Sequence, residues 1–189
     1  MDRVRFEGFA FLAAFIACVP VANWMIGNLG TVCVPQGPCL IPVMPVINGI
    51  SITAPSGVLM IGLALVLRDM VQRRLGKRWT IGAILVGAAL SALVAPPALV
   101  AASAAAFLIS ELADFAVYTP LQKRGLVLAV VASSIIGLAV DSVVFLYMAF
   151  GSLDYLAGQI IGKLWMVLLA IPFIRLLRNR DERLGIQPA

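Results

Sequence analysis

Long apolar runs broken by compact clusters of Lys and Arg leave this chain few folds to choose from. Thirteen of its fourteen basic residues fall in four clusters, Arg3/Arg5, Arg68 to Arg78, Lys123/Arg124 and Arg175 to Arg183, while Lys163 stands alone in an apolar run. Roughly 20 apolar residues cross a bilayer core as helix. Lipid accepts only helices or closed barrels, because every backbone polar group must be satisfied internally. The runs are continuous rather than alternating, which selects helices. Charged residues make up 12% of the chain, against roughly 25% in an average soluble protein. There is no room for a separate soluble domain, so the 189 residues are expected to form a single transmembrane domain.

Six spans are expected, over about 9–26, 50–67, 80–94, 98–118, 126–150 and 155–177. The basic clusters fall at one end of these spans. Segment 27–55, the turn at Ala95-Pro96-Pro97 and the turn around Asp154 carry no Lys or Arg. Cytoplasmic loops carry the Lys/Arg excess of membrane proteins. The expectation is an all-α integral membrane protein, a six-helix transmembrane bundle with both termini cytoplasmic, in the inner (plasma) membrane. A signal peptide is the competing reading of the first run, which follows Arg3 and Arg5. That run outlasts a normal apolar core and no clear Ala-x-Ala site follows, so an uncleaved span is expected.

The net charge of +5 follows from the same topology, and its natural partner is the anionic lipid headgroup of the bilayer rather than nucleic acid. The chain has no His, which removes His-based acid–base chemistry and most zinc sites. No metal and no cofactor is expected. Cys33 and Cys39 share an outer loop, where a disulfide and a pair of ordinary small residues are equally open readings. Cys18 lies in an apolar run and reads as packing. Ala10, Ala13, Ala14 and Ala17 make small-xxx-small pairs suited to close helix contact.

Four ionisable residues lie well inside the expected spans: Glu111, Asp114, Asp141 and Lys163. Each costs about 2.5–3.5 kcal/mol at a helix centre on insertion scales, so such groups usually face a bundle interior or a watery cavity. Glu111 and Asp114 are three apart on the fourth helix, and Phe107 and Tyr118 continue their stripe. Tyr155, Gln159 and Lys163 follow at four-residue intervals on the sixth. On the fifth, Ser134 and Asp141 are seven apart, beside Ser133 and Gly137. Three polar stripes are expected to converge on one central pocket. Lys163 as a structural counter-ion to Asp141 or Glu111 is the plainer reading, but it accounts for one acid of three. Asn23 and Trp24 read as an interfacial anchor or as a cover for the pocket. Arg68-Asp69 reads as the end of the second span, where charge is cheap. Pro55-Ser56-Gly57 reads as irregular backbone lining a cavity, tolerated only away from lipid.

Pro55-Ser56-Gly57, followed by Leu67-Arg68-Asp69-Met70 and Leu75-Gly76, resembles the second-helix signature of the vitamin uptake transporter family, also called the queuosine precursor transporters. The resemblance continues in Ser110-Glu111-Leu112-Ala113-Asp114-Phe115 with Val117-Tyr118, in Ser133-Ser134 through Asp141-Ser142, and in Lys163, and it covers roughly residues 50–178. It implies import of a 7-deazaguanine such as 7-cyano-7-deazaguanine or its aminomethyl relative. It also implies a six-helix bundle similar to the substrate-binding components of energy-coupling-factor transporters. A deazaguanine offers adjacent ring N–H and amino donors, which one carboxylate accepts in a two-pronged hydrogen bond. Glu111 or Asp114 would take that part, Lys163 or Gln159 would donate to the ring carbonyl, and Phe107, Phe115, Tyr118 or Trp165 would stack on the ring.

The first functional expectation is therefore a non-enzymatic importer of a small molecule, a deazapurine, working alone or as a homodimer. A second keeps the pocket but adds an ATP-hydrolysing partner. The chain lacks Gly-x-x-x-x-Gly-Lys-Ser/Thr, so that partner would be another polypeptide. An intramembrane aspartyl protease using Asp114 and Asp141 as a proton-sharing pair ranks well below both. Neither Asp sits in the Gly-x-Gly-Asp setting of such enzymes. A purely structural membrane subunit ranks above the protease but leaves the three acids without a role.

Overall fold

The computed structural model describes residues 3–33, 38–44, 51–95 and 97–186. The expected start of the second span at 49–50 lies outside the described residues, as do 34–37 in the cysteine loop and Pro96. The chain is mostly helical: α1 (Arg3–Asn28), α2 (Val58–Leu75), α3 (Lys77–Val94), α4 (Val100–Leu121), α5 (Leu126–Phe150) and α6 (Leu156–Leu184). All except α2 are long and apolar enough to cross a membrane. Three short strands, β1 (Val32–Cys33), β2 (Cys39–Pro42) and β3 (Thr53–Pro55), form an antiparallel sheet in the order β1-β2-β3 between α1 and α2. Its first turn is closed by a Cys33–Cys39 disulfide.

The β-sheet sits at one end of the bundle, called here the hairpin end, and the two chain termini at the other. Ser56 Oγ donates to the Met25 carbonyl at 2.7 Å, and Trp165 Nε1 to the Val43 carbonyl at 2.8 Å. These bonds tie the sheet to α1 and α6. A backbone turn of this kind is acceptable because protein, not lipid, surrounds it.

α2 differs from the expected second span in position and in surroundings. It starts only after Pro55-Ser56-Gly57 and runs to Leu75, so Arg68 and Asp69 fall in mid-helix rather than at its end. It packs against each of the other five helices, with Leu65, Val66, Met70 and Val71 buried among them. A helix wrapped by protein need not be apolar all round, which is why this one carries Arg68, Asp69, Arg73 and Arg74.

Lipid is as apolar as Leu, so helix association in a bilayer rests on close packing and polar contacts. Gly62 of α2 lies against the α6 backbone: a Cβ there would be 2.5 Å from the Lys163 carbonyl oxygen. Gly137 of α5 likewise lies against Leu65 and Asp114. The alanine stripe of α1 does not take this role. Ala10, Ala13, Ala14 and Ala17 are exposed, and the packed face is Gly8, Phe15, Cys18, Val19, Ala22 and Met25. The lipid-directed faces carry Ile109 and Leu112 on α4, Leu128 and Ile135 on α5, and Leu169 and Leu176 on α6.

At the terminal end α1, α2 and α6 are joined by charge. Asp181 accepts from Arg73 at 2.8 Å and from Arg74 at 2.8 and 2.9 Å, and Arg180 clasps Glu7 at 2.6 and 2.8 Å. Hydrogen bonding from Arg180 holds the Glu7 carboxyl below its ordinary range. Burial pushes Asp181 up, but hydrogen bonds from Arg74 and Arg73 outweigh it and leave Asp181 lowered too. An acid lowered by folding stabilises the fold above its unfolded pKa and loses that contribution as pH falls through the folded value. Wild type should therefore melt above Asp181→Asn in detergent at neutral pH, with the gap closing as pH falls from about 4 downward. A gap constant across that window would count against the clamp.

Candidate functional site

The polar stripes of α4, α5 and α6 do not meet in one pocket. They form two layers along the bundle, and a basic residue centres each.

The layer nearer the hairpin end belongs to a cavity of about 460 Å³ lined by residues of all six helices. Asn23, Pro55, Phe107, Asp141, Gln159 and Lys163 line it, with Phe145 and Phe150 on α5. Gln159 and Lys163 face inward on one side of α6, whereas Tyr155, one turn earlier, is exposed. Lys163 Nζ donates to Asp141 Oδ2 at 2.6 Å, to Gln159 Oε1 at 2.7 Å and to Ser142 Oγ at 2.8 Å. All three protons of the ammonium are thus used. Ser110 Oγ donates to the other Asp141 oxygen at 3.4 Å. An ammonium has three donors and no acceptor, so this geometry fixes Lys163 as the hub that orients Asp141 and Gln159 toward the cavity. Asn23 donates to the Val19 carbonyl at 3.0 Å, leaving its side-chain oxygen free. Trp24 points away and is exposed.

The deeper layer is built around Arg68 of α2, the largest fully buried side chain. Its guanidinium pairs with Asp114, lies 2.5 Å from Asp69 Oδ1, and faces Glu111 Oε2 at 3.4 Å through Nε. Arg68 Nη1 donates to Gln72 Oε1 at 3.3 Å, and Gln72 Nε2 donates to Thr119 Oγ1 at 3.0 Å. Ser133 Oγ on α5 donates to Asp69 Oδ2 at 2.9 Å. The Tyr118 ring lies 5.5 Å from the guanidinium carbon, within cation–π range. Glu111, Asp114 and Tyr118 therefore face Arg68 and are not among the residues lining the cavity. Ser134 is buried on α5 and its hydroxyl has no hydrogen-bond partner among the described residues. Phe115 and Trp165 also lie outside the cavity lining, Trp165 being held by Val43.

Residues 92–177 match the family model described as "Putative vitamin uptake transporter". The matched segment runs from the end of α3 to Leu177 of α6 and contains Glu111, Asp114, Asp141, Gln159 and Lys163. It agrees with the resemblance read from the motifs. α1, the sheet and α2, with Arg68, precede it. No curated protein and no solved structure matches the chain. With five helices apolar enough to cross a bilayer, the chain is a multi-pass membrane protein, and the family model matched over residues 92–177 is one of substrate uptake.

The residue that the sequence reading passed over is Arg68, together with Asp69. A signal for it was present: a span that begins after the Pro55-Ser56-Gly57 break needs roughly 20 residues and so takes in both. Removing one partner of a buried ion pair costs about 3–5 kcal/mol, because the other charge is left uncompensated. Arg68→Met should lower the thermal midpoint in detergent sharply or abolish folded protein, whereas Arg175→Met, at an exposed site on α6, should change little. Equal midpoints for the two variants would show that Arg68 does not hold the bundle.

Proposed function

We propose that this chain imports a queuosine precursor, a 7-deazaguanine such as 7-cyano-7-deazaguanine or its aminomethyl form, through the cavity that Lys163 organises. The observation carrying the reading is the pairing of Asp141 with Lys163 on the wall of a cavity that is otherwise mostly apolar and aromatic. Small-molecule pockets of roughly 300–1,000 Å³ typically combine apolar walls with a few placed polar groups. A volume of about 460 Å³ suits a planar bicyclic base.

The recognition edge of a deazaguanine presents a carbonyl acceptor beside ring N–H and amino donors. Asp141 supplies the acceptor for the donors and, with the three Lys163 protons already spent, Gln159 supplies the donor for the carbonyl. Gln159 gives its Oε1 to Lys163, which leaves its amide N–H groups to donate. Phe107, with Phe145 and Phe150, provides the surface for stacking. In this arrangement the carboxylate role passes from Glu111 or Asp114 to Asp141, because those two acids are taken up by Arg68. Asn23, at the mouth, is placed to contact a ring substituent.

With the basic clusters at the terminal end read as the cytoplasmic side, the cavity faces outward from the plasma membrane. Import by the chain alone or as a homodimer is the reading we adopt.

Binding of 7-cyano-7-deazaguanine to the purified protein, followed by calorimetry, tests the assignment. The double variant Asp141→Asn/Lys163→Met removes both charges together and so leaves none unpaired. It should lose at least about tenfold in affinity, ~1.4 kcal/mol, while keeping a wild-type melting profile. Unchanged affinity in that variant, or no binding by wild type, would overturn the assignment.

A further inference from the structure

The deeper layer is out of charge balance. Asp69, Glu111 and Asp114 surround a single guanidinium, and all four side chains are at most 2% exposed. Three carboxylates against one Arg68 leave two negative charges if every acid is ionised. An uncompensated charge buried in protein costs several kcal/mol, and still more at membrane depth. Something else must neutralise the cluster.

Other groups facing it do not. From α1, Cys18 is within electrostatic reach of Glu111 and carries no positive charge. From α2, Gln72 is neutral and Arg73 is spent on Asp181. From α4, Tyr118 and Thr119 are neutral hydroxyls. From α5, Ser133 donates to Asp69, and Asp141 adds a further negative charge on the cavity side. From α6, Lys163 is held by Asp141.

A second set of observations points to what is missing. Glu111 Oε2, Asp114 Oδ2 and the Tyr118 hydroxyl are buried without a hydrogen-bond partner among the described residues. Buried polar atoms are normally bonded, so the open carboxylate oxygens mark places for a hydrogen: Asp114 Oδ2, and Glu111 Oε2, with which Arg68 Nε at 3.4 Å makes no hydrogen bond. The acids do not converge as metal ligands: no metal-holding group of three occurs among the described residues. They radiate around a guanidinium, which would repel a metal ion. The cation that suits separate open carboxylate oxygens beside a fixed positive charge is the proton.

We propose that the Arg68 cluster is a proton-binding site, with the exchangeable proton on Glu111 and a second shared by Asp69 and Asp114. Glu111 is the acid that Arg68 holds most loosely, at 3.4 Å and without hydrogen-bond geometry. It is also next in sequence to Ser110, which donates to Asp141 in the cavity wall. A hydronium ion on the cavity side gives its proton to the Glu111 carboxylate: one hydronium O–H bond breaks, one carboxylic O–H bond forms and a water is left. The reverse transfer, from the acid to water, releases the proton. The site goes beyond the uptake reading and does not depend on which base is carried.

Infrared spectroscopy of the purified protein, reading the carbonyl stretch of neutral carboxylic acids without any substrate, tests this directly. At neutral pH in sodium-free buffer, wild type should show a signal equivalent to one or two of its nine acidic residues. Glu111→Gln should lose part of that signal and remain folded, since a neutral amide replaces a neutral acid of the same shape. Asp114→Asn should reduce it as well, and Asp154→Asn, at an exposed turn, should leave it unchanged. Absence of the signal in wild type at neutral pH would overturn the proposal even if no variant folds. So would a signal in both cluster variants equal to that of wild type. A signal that sodium abolishes would assign the site to sodium instead, and would equally overturn it.

Discussion

A guanidinium buried at the middle of a membrane-embedded bundle constrains everything around it. Arg68 cannot be left facing lipid, so the helix that bears it must be enclosed on all sides. That requirement explains why α2 packs against five other helices while each of them keeps an apolar outer face. It explains as well why acids arrive from α2 and α4 and a hydroxyl from α5, for a charge buried in low dielectric is tolerable only when paired and hydrogen-bonded. The close approaches at Gly62 and Gly137 follow from the same need. Side chains there would hold α5 and α6 away from α2 and let lipid or water reach the charge.

Separating the polar residues into two layers gives each a different chemistry. Lys163 spends its three donors on Asp141, Gln159 and Ser142, so the cavity wall is nearly charge-neutral yet rich in directed hydrogen-bond groups. Such a wall is suited to a neutral polar molecule, because its own charges already offset one another. The Arg68 layer is the opposite: crowded with carboxylates, shielded from the cavity lining, and short of positive charge. The two touch through α4, where Ser110 bonds Asp141 and the adjacent Glu111 faces Arg68. A change of charge on Glu111 is therefore felt within one residue of the recognition wall.

Much of this was legible in the residues, and the parts that were not have physical reasons. The three- and four-residue spacings on α4 and α6 identify buried faces, because a helix that must show an apolar surface to lipid has only one side left for Glu111, Asp114, Gln159 and Lys163. The same spacings say nothing about depth. Along the bundle axis Asp141 and Lys163 lie toward the hairpin end while Asp114 lies deeper, and a stripe several turns long spans both levels. Arg68 and Asp69 were obscured because apolar content was used to end the second span, a criterion valid for a helix that meets lipid and invalid for one that meets only protein. The small sheet was hidden for a different reason. Strands of two to four residues such as Cys39–Pro42 carry too little alternation to register, and it is pairing with distant Thr53–Pro55 that forms them.

Transport also needs a way past both layers, and the charges show where the bundle resists. Among the described residues the hairpin end is closed by one hydroxyl contact from Ser56, one indole contact from Trp165 and the short sheet. The terminal end is closed by Glu7, Arg73, Arg74, Arg180 and Asp181 acting together on α1, α2 and α6. Several charge-assisted bonds that share partners hold more firmly than isolated neutral ones. The arrangement is thus biased toward a cavity accessible from the hairpin end. To open the other way, α6 must move relative to α2, which carries Lys163 past Gly62 and Asp181 away from Arg74. Because both contacts lie on the same pair of helices, the recognition wall and the terminal clamp cannot shift independently.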